Sequence, residues 1–330
     1  MGRILVTGGA GFIGSHLVDT LIAMGENVIV LDDLSGGFRE NVNPKATFIR
    51  GSILSNRRVT SIFESHQIEF VFHLAAYAAE GLSHFIKRYN YRNNLIGSIN
   101  LINAAVNHNV KCFVYTSSIA AYGASPCPMT EDMIPLPVDS YGIAKLAVEQ
   151  ELKITHGLFG LNYIVFRPHN VYGERQNIGD RYRNVIGIFM NQIMQGEPLT
   201  IFGDGTQTRA FTYVKDVAPV IADSVFVNRA YNQVFNVGAE NPIPINELAQ
   251  EVSKAMGVRP RVEYVGEREE VKHAYCSHRK IKEILNFGAK YTLPEGLKIM
   301  AEWAKTHGSR KGKRFKTIEI RKNLPRVWSE

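Results

Sequence analysis

A chain of 330 residues, 45% hydrophobic and 21% charged, has the material for a large buried core, either as two domains or as one α/β domain with an appendage. It contains no run of eighteen apolar residues, which excludes a membrane-spanning helix. The net charge of +7 resides in Lys305–Glu330, where nine Lys or Arg face two Glu, so the neutral remainder gives no reason to expect nucleic-acid binding.

The N-terminus enters an apolar strand directly at Ile4–Thr7, without the basic-then-apolar layout of a secretory leader. Gly8-Gly9-Ala10-Gly11-Phe12-Ile13-Gly14 follows, a GxxGxxG turn opening a predicted helix over 12–24. Glycine suits a tight turn whose backbone must approach a pyrophosphate, and the helix start adds free N–H groups and the positive dipole end. The second strand, Val28–Leu31, leads into Asp32, 18 residues after Gly14. A carboxylate there accepts hydrogen bonds from the adenosine ribose and repels a 2′-phosphate, which selects NAD over NADP. A glycine turn that serves only packing is the bland alternative, and Asp33 is either a second ribose contact or merely solvated.

Thr47–Arg50, Phe70–Leu74, Cys112–Thr116 and Tyr163–Phe166 read as further strands, short apolar runs of the kind buried on both faces. They alternate with helical stretches near 55–66, 85–108 and 140–157, which predicts βαβ units and a Rossmann-type, doubly wound parallel sheet in an α/β fold. Leu95, Ile96, Ile99, Ile102, Ala105 and Val106 share helical spacing and form either core or a helix-to-helix dimer face. Cys112, Cys127 and Cys276 are scattered and lack a CxxC pair; they read as reduced thiols, with no metal site expected and the cytoplasm as the compartment.

Thr116-Ser117-Ser118 ends the fifth strand, at the sheet edge where doubly wound folds hold their ligand. Tyr141-Gly142-Ile143-Ala144-Lys145 then sets Tyr and Lys four apart on one helix face. A phenol titrating near about 10 is a poor base at neutral pH; a neighbouring ammonium and the positive nicotinamide ring are expected to lower it, with a serine hydroxyl sharing the proton. The trio fits alcohol oxidation, with Tyr141 taking the hydroxyl proton as hydride leaves for NAD, against the alternative of a surface pair. Beyond Arg167-Pro168, loops rich in Gly, Asn and Arg separate shorter elements, and this second part reads as built onto the first.

GGAGFIGSHLVD, LDDLSGG, FHLAA, NNLIGS, YTSS with a following YG, YGIAK, FRPHNVYG and IFGDGTQTRAFTYVKDVA together resemble the extended short-chain dehydrogenase/reductase family. Within it the chain is most similar to the UDP-glucose 4-epimerases and UDP-hexuronate 4-epimerases. The motifs run in order from Gly8 to about Asp216, with weaker similarity through Glu270-Val271-Lys272-His273 to Asn323-Leu324-Pro325. The resemblance implies a NAD-binding Rossmann domain over 1–167 with a returning segment near 209–238. It also implies a nucleotide-sugar domain from 168–208 and 239–330, tightly held NAD, a UDP-sugar substrate and a homodimer.

By motif, the same resemblance implies Ser118, Tyr141 and Lys145 as the catalytic trio. It places Gly8, Gly11, Phe12, Ile13, Asp32, Asp33, Ser35, Leu74, Ala75, Ala76, Asn94, Thr116, Pro168 and His169 beside the cofactor, along with Tyr141 and Lys145. Asn170, Asn184, Val185, Thr200, Phe202, Arg209 and Arg268 fall to the substrate, chiefly its nucleotide diphosphate, and Ser83 and Ser118 to the sugar. A guanidinium fork at Arg209 suits a diphosphate, with a salt bridge to Asp204 as the structural alternative.

Members of this family share a 4-oxidation and diverge through extra groups. The dehydratases resemble one another in an Asp-Glu pair directly after the catalytic hydroxyl residue, and the decarboxylases usually have Glu at the second position. Ile119 and Ala120 stand here, so dehydration lacks its acid and epimerisation remains. A 4-keto-sugar reductase or net dehydrogenase is the enzymatic alternative, and a non-catalytic NAD-binding regulator, which has no need of the trio, is the other. Several positions depart from the family pattern. Glu80 and His84 are unusual polar residues near the expected sugar, contacting substrate or hydrogen-bonding each other. Ala120 replaces a common threonine, and Ser52 an adenine-binding Asp. Within Arg175–Arg183 an arginine either meets a sugar carboxylate, which admits UDP-glucuronate, or lies on a solvated helix face. The run Arg310-Lys311-Gly312-Lys313-Arg314-Phe315-Lys316 is a solvated tail or a site for anionic partners.

Overall fold

The structure, a computed structural model, describes residues 2–268, 270–312 and 314–329. Its centre is a seven-stranded sheet built from β1 (Arg3–Thr7), β2 (Val28–Asp32), β3 (Thr47–Arg50), β4 (Ile68–His73), β5 (Cys112–Thr116), β6 (Asn162–Pro168) and a seventh strand, Gln233–Val237. All pairings are parallel, in the spatial order β3-β2-β1-β4-β5-β6-seventh. β2 and β5 are buried along their whole length, as expected of apolar runs covered by helices on both faces. The order reverses between β1 and β4, which opens a crevice at the carboxyl ends of these strands.

Helices fill both faces. Phe12–Ala23 buries Leu17, Val18 and Leu21 on one side, and Gly97–Asn107 buries Leu101, Ile102 and Ala105 on the other. Leu95, Ile99 and Val106 pack against that second core while Ile96 remains 51% exposed, so the apolar stripe read from the sequence is mainly core. The layers are stitched by buried polar bonds. His73 on β4 joins Thr7 Oγ1 on β1 (2.7 Å) to Ser98 Oγ on the Gly97–Asn107 helix (2.8 Å). Burial and the nearby Lys145 push this imidazole down to about 3, so it holds these bonds as a neutral ring.

Past β6 the chain builds smaller units around the crevice mouth. Leu199–Phe202 pairs with Val262–Val265, and Thr208–Ala210 lies between Pro242–Pro244 and His273–Ala274. The helices Val185–Gln195, Ile245–Met256 and Leu293–His307 cover them. Residues 173–184 form no helix, so Arg181 and Arg183 do not sit on a solvated helical face. Among the described residues no helix is long and apolar enough to cross a membrane.

The C-terminal basic segment is not a free tail. The Arg310 guanidinium lies 3.8 Å from the Phe38 ring centre and pairs with Glu40 at 3.1 Å. Phe315 packs on Tyr77 and Tyr89, and Trp328, 4% exposed, contacts Phe85, Tyr182 and Phe202. Aromatic anchors among the basic residues thus fasten this strap to Tyr77, Phe85, Tyr89, Tyr182 and Phe202, an effect that charge counting alone does not reveal. Lys313 lies outside the described residues.

Candidate active site

The crevice is a cleft of about 380 Å³ that runs from the glycine turn, past the end of β5, to the Leu199–Phe202 strand. At the turn, backbone packs on backbone. Gly8 has φ +75°, and a Cβ there would lie 2.7 Å from Ala75 N; one on Gly14 would lie 2.2 Å from Gly8 O. Gly11 caps the Phe12–Ala23 helix without a side-chain hydrogen bond, which leaves the first-turn amides to the cleft. The Asp32 carboxylate accepts from Ala10 N (3.0 Å) and Leu34 N (2.8 Å), and its lone pairs have capacity left for ribose hydroxyls. Burial raises its pKa, the two amides oppose this, and Asp33 raises it slightly further. Asp33 itself is exposed and accepts from Ser35 N. A buried hydroxyl without a partner, Thr116 Oγ1, lines the same cleft. This cradle, with its open amides and unmatched hydroxyl, fits a dinucleotide.

The trio converges beside it. Asp139 caps the helix Ser140–Phe159, its carboxylate accepting from Gly142 N at 2.8 Å, and this sets Tyr141 and Lys145 in the first two turns. Ser118 accepts from Ala120 N just after β5 and hydrogen-bonds the Tyr141 phenol. Lys145 Nζ donates to Thr116 O at 2.6 Å and lies 5.7 Å from the Tyr141 ring centre. Ile119 and Ala120 are both buried and apolar. The electrostatics depart from the expectation that the ammonium lowers the phenol. Burial raises Tyr141 well above its ordinary value, Glu80 raises it further, and the bond from Ser118 opposes them. Burial also pulls Lys145 down to about 7, against the attraction of Glu149. In the protein alone, desolvation outweighs the neighbouring charge at both groups.

At the far end, Arg209 donates to Val271 O (2.6 Å), Lys272 O (3.0 Å) and Thr208 O (2.8 Å). It pairs with Glu270 at 3.3 Å, not with Asp204, whose carboxylate accepts from Thr206. Arg268 shares Glu270 at 2.9 Å and lies 4.5 Å from the Phe202 ring centre. Asn170, Asn184, Val185 and Thr200 line the same end, and Leu74, Ala75, Ala76 and Pro168 line the middle.

Four residues expected at the ligand do not line the cleft: Ser83, His84, Asn94 and His169. Three of them brace its wall. The Asn94 amide grips both backbone groups of Tyr77, at 2.9 and 3.0 Å, and bonds Asn90. Ser83 Oγ accepts from Tyr141 N and donates to Glu80 O. His169 meets Ala239 O and stacks near His278. Conversely, the sequence reading missed Tyr77, Tyr182 and Gln176 in the lining. Gln176 is fully buried with neither amide atom partnered, and its signal, a glutamine in a loop rich in arginine, is too common to single out. Of the arginines of that loop, Arg175 pairs with Asp19 (2.7 Å) and Arg181 meets Val327 O, whereas Arg183 lines the cleft, held to Asp180 (2.9 Å) and lying 4.8 Å from the Tyr77 ring centre.

Comparison with known proteins places this geometry among relatives. A model of the NAD dependent epimerase/dehydratase family matches residues 4–238. The crystal structure of a UDP-glucose 4-epimerase from Thermotoga maritima with UDP-glucose superposes with a TM-score of 0.88 at 38% identity, over 92% of this chain and 99% of that one. A UDP-glucuronate 4-epimerase from Thermodesulfobacterium geofontis is 31% identical over 92% of this chain and 97% of its own. A UDP-N-acetyl-alpha-D-glucosaminuronate decarboxylase from Bacillus cytotoxicus is 32% identical over 91% and 97%.

Proposed function

The chain belongs to the NAD dependent epimerase/dehydratase family, and we propose that it inverts C4 of a UDP-sugar through a 4-keto intermediate, without net consumption of NAD. The observation that supports this best is the trio Ser118, Tyr141 and Lys145 on the crevice, with buried apolar Ile119 and Ala120 where the family's dehydratases and decarboxylases carry carboxyls. When bound, NAD would supply the hydride acceptor for C4 oxidation and the hydride source for its reversal. Tyr141 takes the C4 hydroxyl proton in the first half-reaction and gives it back in the second, so atoms and electrons balance with no co-reactant. Ser118 holds the phenol toward the sugar. Lys145, pinned to Thr116 O, lies one turn away as the group that stabilises the phenolate once positive charge enters the crevice. Ala120 offers no acid to expel a C6 hydroxyl and no carboxylate to assist decarboxylation.

The cofactor is assigned to Asp32 and the first-turn amides, and the diphosphate and base to Arg209, Arg268 and Phe202. Asp32→Ala is expected to weaken NAD binding about 10- to 100-fold, the value of a lost hydrogen bond to a charged group. It should also narrow the preference over NADP, both read by titrating cofactor-stripped protein. Unchanged preference would place 2′-phosphate discrimination elsewhere. The reaction itself is tested by incubating the protein with UDP-glucose, UDP-N-acetylglucosamine and UDP-glucuronate separately and following products by NMR. The expected result is a mixture of C4 epimers from at least one sugar without accumulating NADH. A dehydrated or decarboxylated product, or NADH formed in proportion to product, overturns the proposal.

A further inference from the structure

We infer that Arg183 is a ligand to the pyrophosphate of the bound dinucleotide, reaching in from the coil 173–184 to clamp the cofactor; the inference rests on the cofactor assignment above. The phosphate end of that site is set by the glycine turn, whose first-turn amides and positive dipole end face the cleft. The coil after β2 lies directly against this turn. A Cβ on Gly37 would lie 2.4 Å from Ala10 O and 2.7 Å from Gly11 N, and Phe38 N donates to Ala10 O at 3.0 Å. The next residue back meets the arginine. A Cβ on Gly36 would lie 3.2 Å from Arg183 Nη2. Gly8, Gly11, Gly36, Gly37 and Arg183 all line the cleft, so a guanidinium from a distant segment stands beside the turn that receives the phosphates.

The arginine is held ready for an anion. Its Nε donates to Asp180 Oδ2 at 2.9 Å, and the guanidinium lies 4.8 Å from the Tyr77 ring centre. Asp180 Oδ1 in turn accepts from Tyr182 N (3.0 Å). Tyr182 is buried against Trp328, and its hydroxyl accepts from Phe315 N (3.1 Å). The ion pair thus uses one edge of the fork, and Nη2 extends toward the Gly36 coil. The Nη groups carry four of the five N–H donors, and a planar fork can meet two phosphate oxygens at once. The side chain is 17% exposed, so water screens its charge less than at an open surface. The same charge reaches Tyr141, where it favours the phenolate. A sugar carboxylate is the rival anion. The position against Gly36 and Tyr77 favours the cofactor, because the substrate's diphosphate is assigned to Arg209 and Arg268 at the other end of the cleft.

Two measurements test this. NAD release from diluted holoprotein is expected to be about 10- to 100-fold faster in Arg183→Gln than in the wild type, the value of a lost charge-assisted hydrogen bond. Arg183→Lys, which keeps the charge and loses the fork, should fall between the two. Calorimetric affinity for UDP should stay unchanged in both variants. In the wild type stripped of cofactor, phenylglyoxal labelling of Arg183, read by peptide mass spectrometry, should be suppressed by ADP-ribose and not by adenosine, which lacks the phosphates. This second measurement stands even if a variant does not fold. Unchanged NAD release in Arg183→Gln, labelling that ADP-ribose leaves unmoved, or a loss confined to UDP-glucuronate binding overturns the inference. Faster release in a protein that turns over no UDP-sugar keeps the clamp and sinks the epimerase reading. A wild type that holds no NAD sinks both.

Discussion

Tyr141→Phe is expected to lower kcat by about 10²- to 10⁴-fold, the range for loss of a positioned acid–base group, with bound NAD retained. The phenol is 5% exposed and its ring packs near Lys145, so removing one oxygen leaves the wall of the cleft in place. The loss falls on chemistry for a specific reason. In the protein alone burial keeps the phenol protonated and Lys145 only weakly basic, so the site is set to change charge state only when the crevice is filled. Phenylalanine supplies no proton acceptor under either condition, and Ser118, an ordinary hydroxyl, is too weak a base to replace it. The measurement is single-turnover formation of the epimer, with NAD content read spectroscopically after gel filtration and denaturation. Activity within tenfold of the wild type would move the base to another residue. Loss of NAD together with activity would make Tyr141 a cofactor-binding residue in the first place.

Much of this site was legible in the sequence because its parts are local. A glycine turn, an acid at the end of β2 and a Tyr–Lys pair one helical turn apart each carry their geometry within a few residues, and the βαβ alternation brings their ends to one sheet edge. What escaped is non-local. Tyr182 and Gln176 reach the cleft from a coil whose path is set by distant packing, including Arg175 on Asp19 and Arg181 on Val327 O. Asn94 sits where the motif places it, yet its amide is spent on Tyr77 and Asn90, a matter of which neighbour lies nearer. The partner of Arg209 lies 61 residues along the chain at Glu270, brought close by the pairing of Thr208–Ala210 with His273–Ala274, while Asp204, near in sequence, turns to Thr206. The charge of the C-terminal run was plain, but its role as a strap depends on Phe315 and Trp328, whose sockets belong to other elements.

Glu149→Ala is expected to destabilise the fold by about 3–5 kcal/mol, the cost of stranding a buried charge. Glu149 lies on the catalytic helix one turn past Lys145. Its carboxylate accepts from Arg167 Nε (3.0 Å) and Nη2 (2.5 Å) and from the Ser117 hydroxyl, and both charged side chains are about 95% buried. The Arg167 guanidinium also lies 4.4 Å from the Tyr122 ring centre, and Tyr122 donates to Asn236 on the seventh strand. One carboxylate therefore ties together the helix, the end of β5, β6 and the sheet edge. Removing it leaves Arg167 without its counter-charge where water cannot reach, and it also removes a negative charge that supports protonation of Lys145. Chemical denaturation should show a urea midpoint lowered by about 1 M or more. Glu149→Leu combined with Arg167→Met should recover much of the loss, because the desolvation cost disappears with the pair. If the double variant is as unstable as the sum of its singles, the pair acts only through shape. If Glu149→Ala unfolds at the wild-type midpoint, the network holds nothing together.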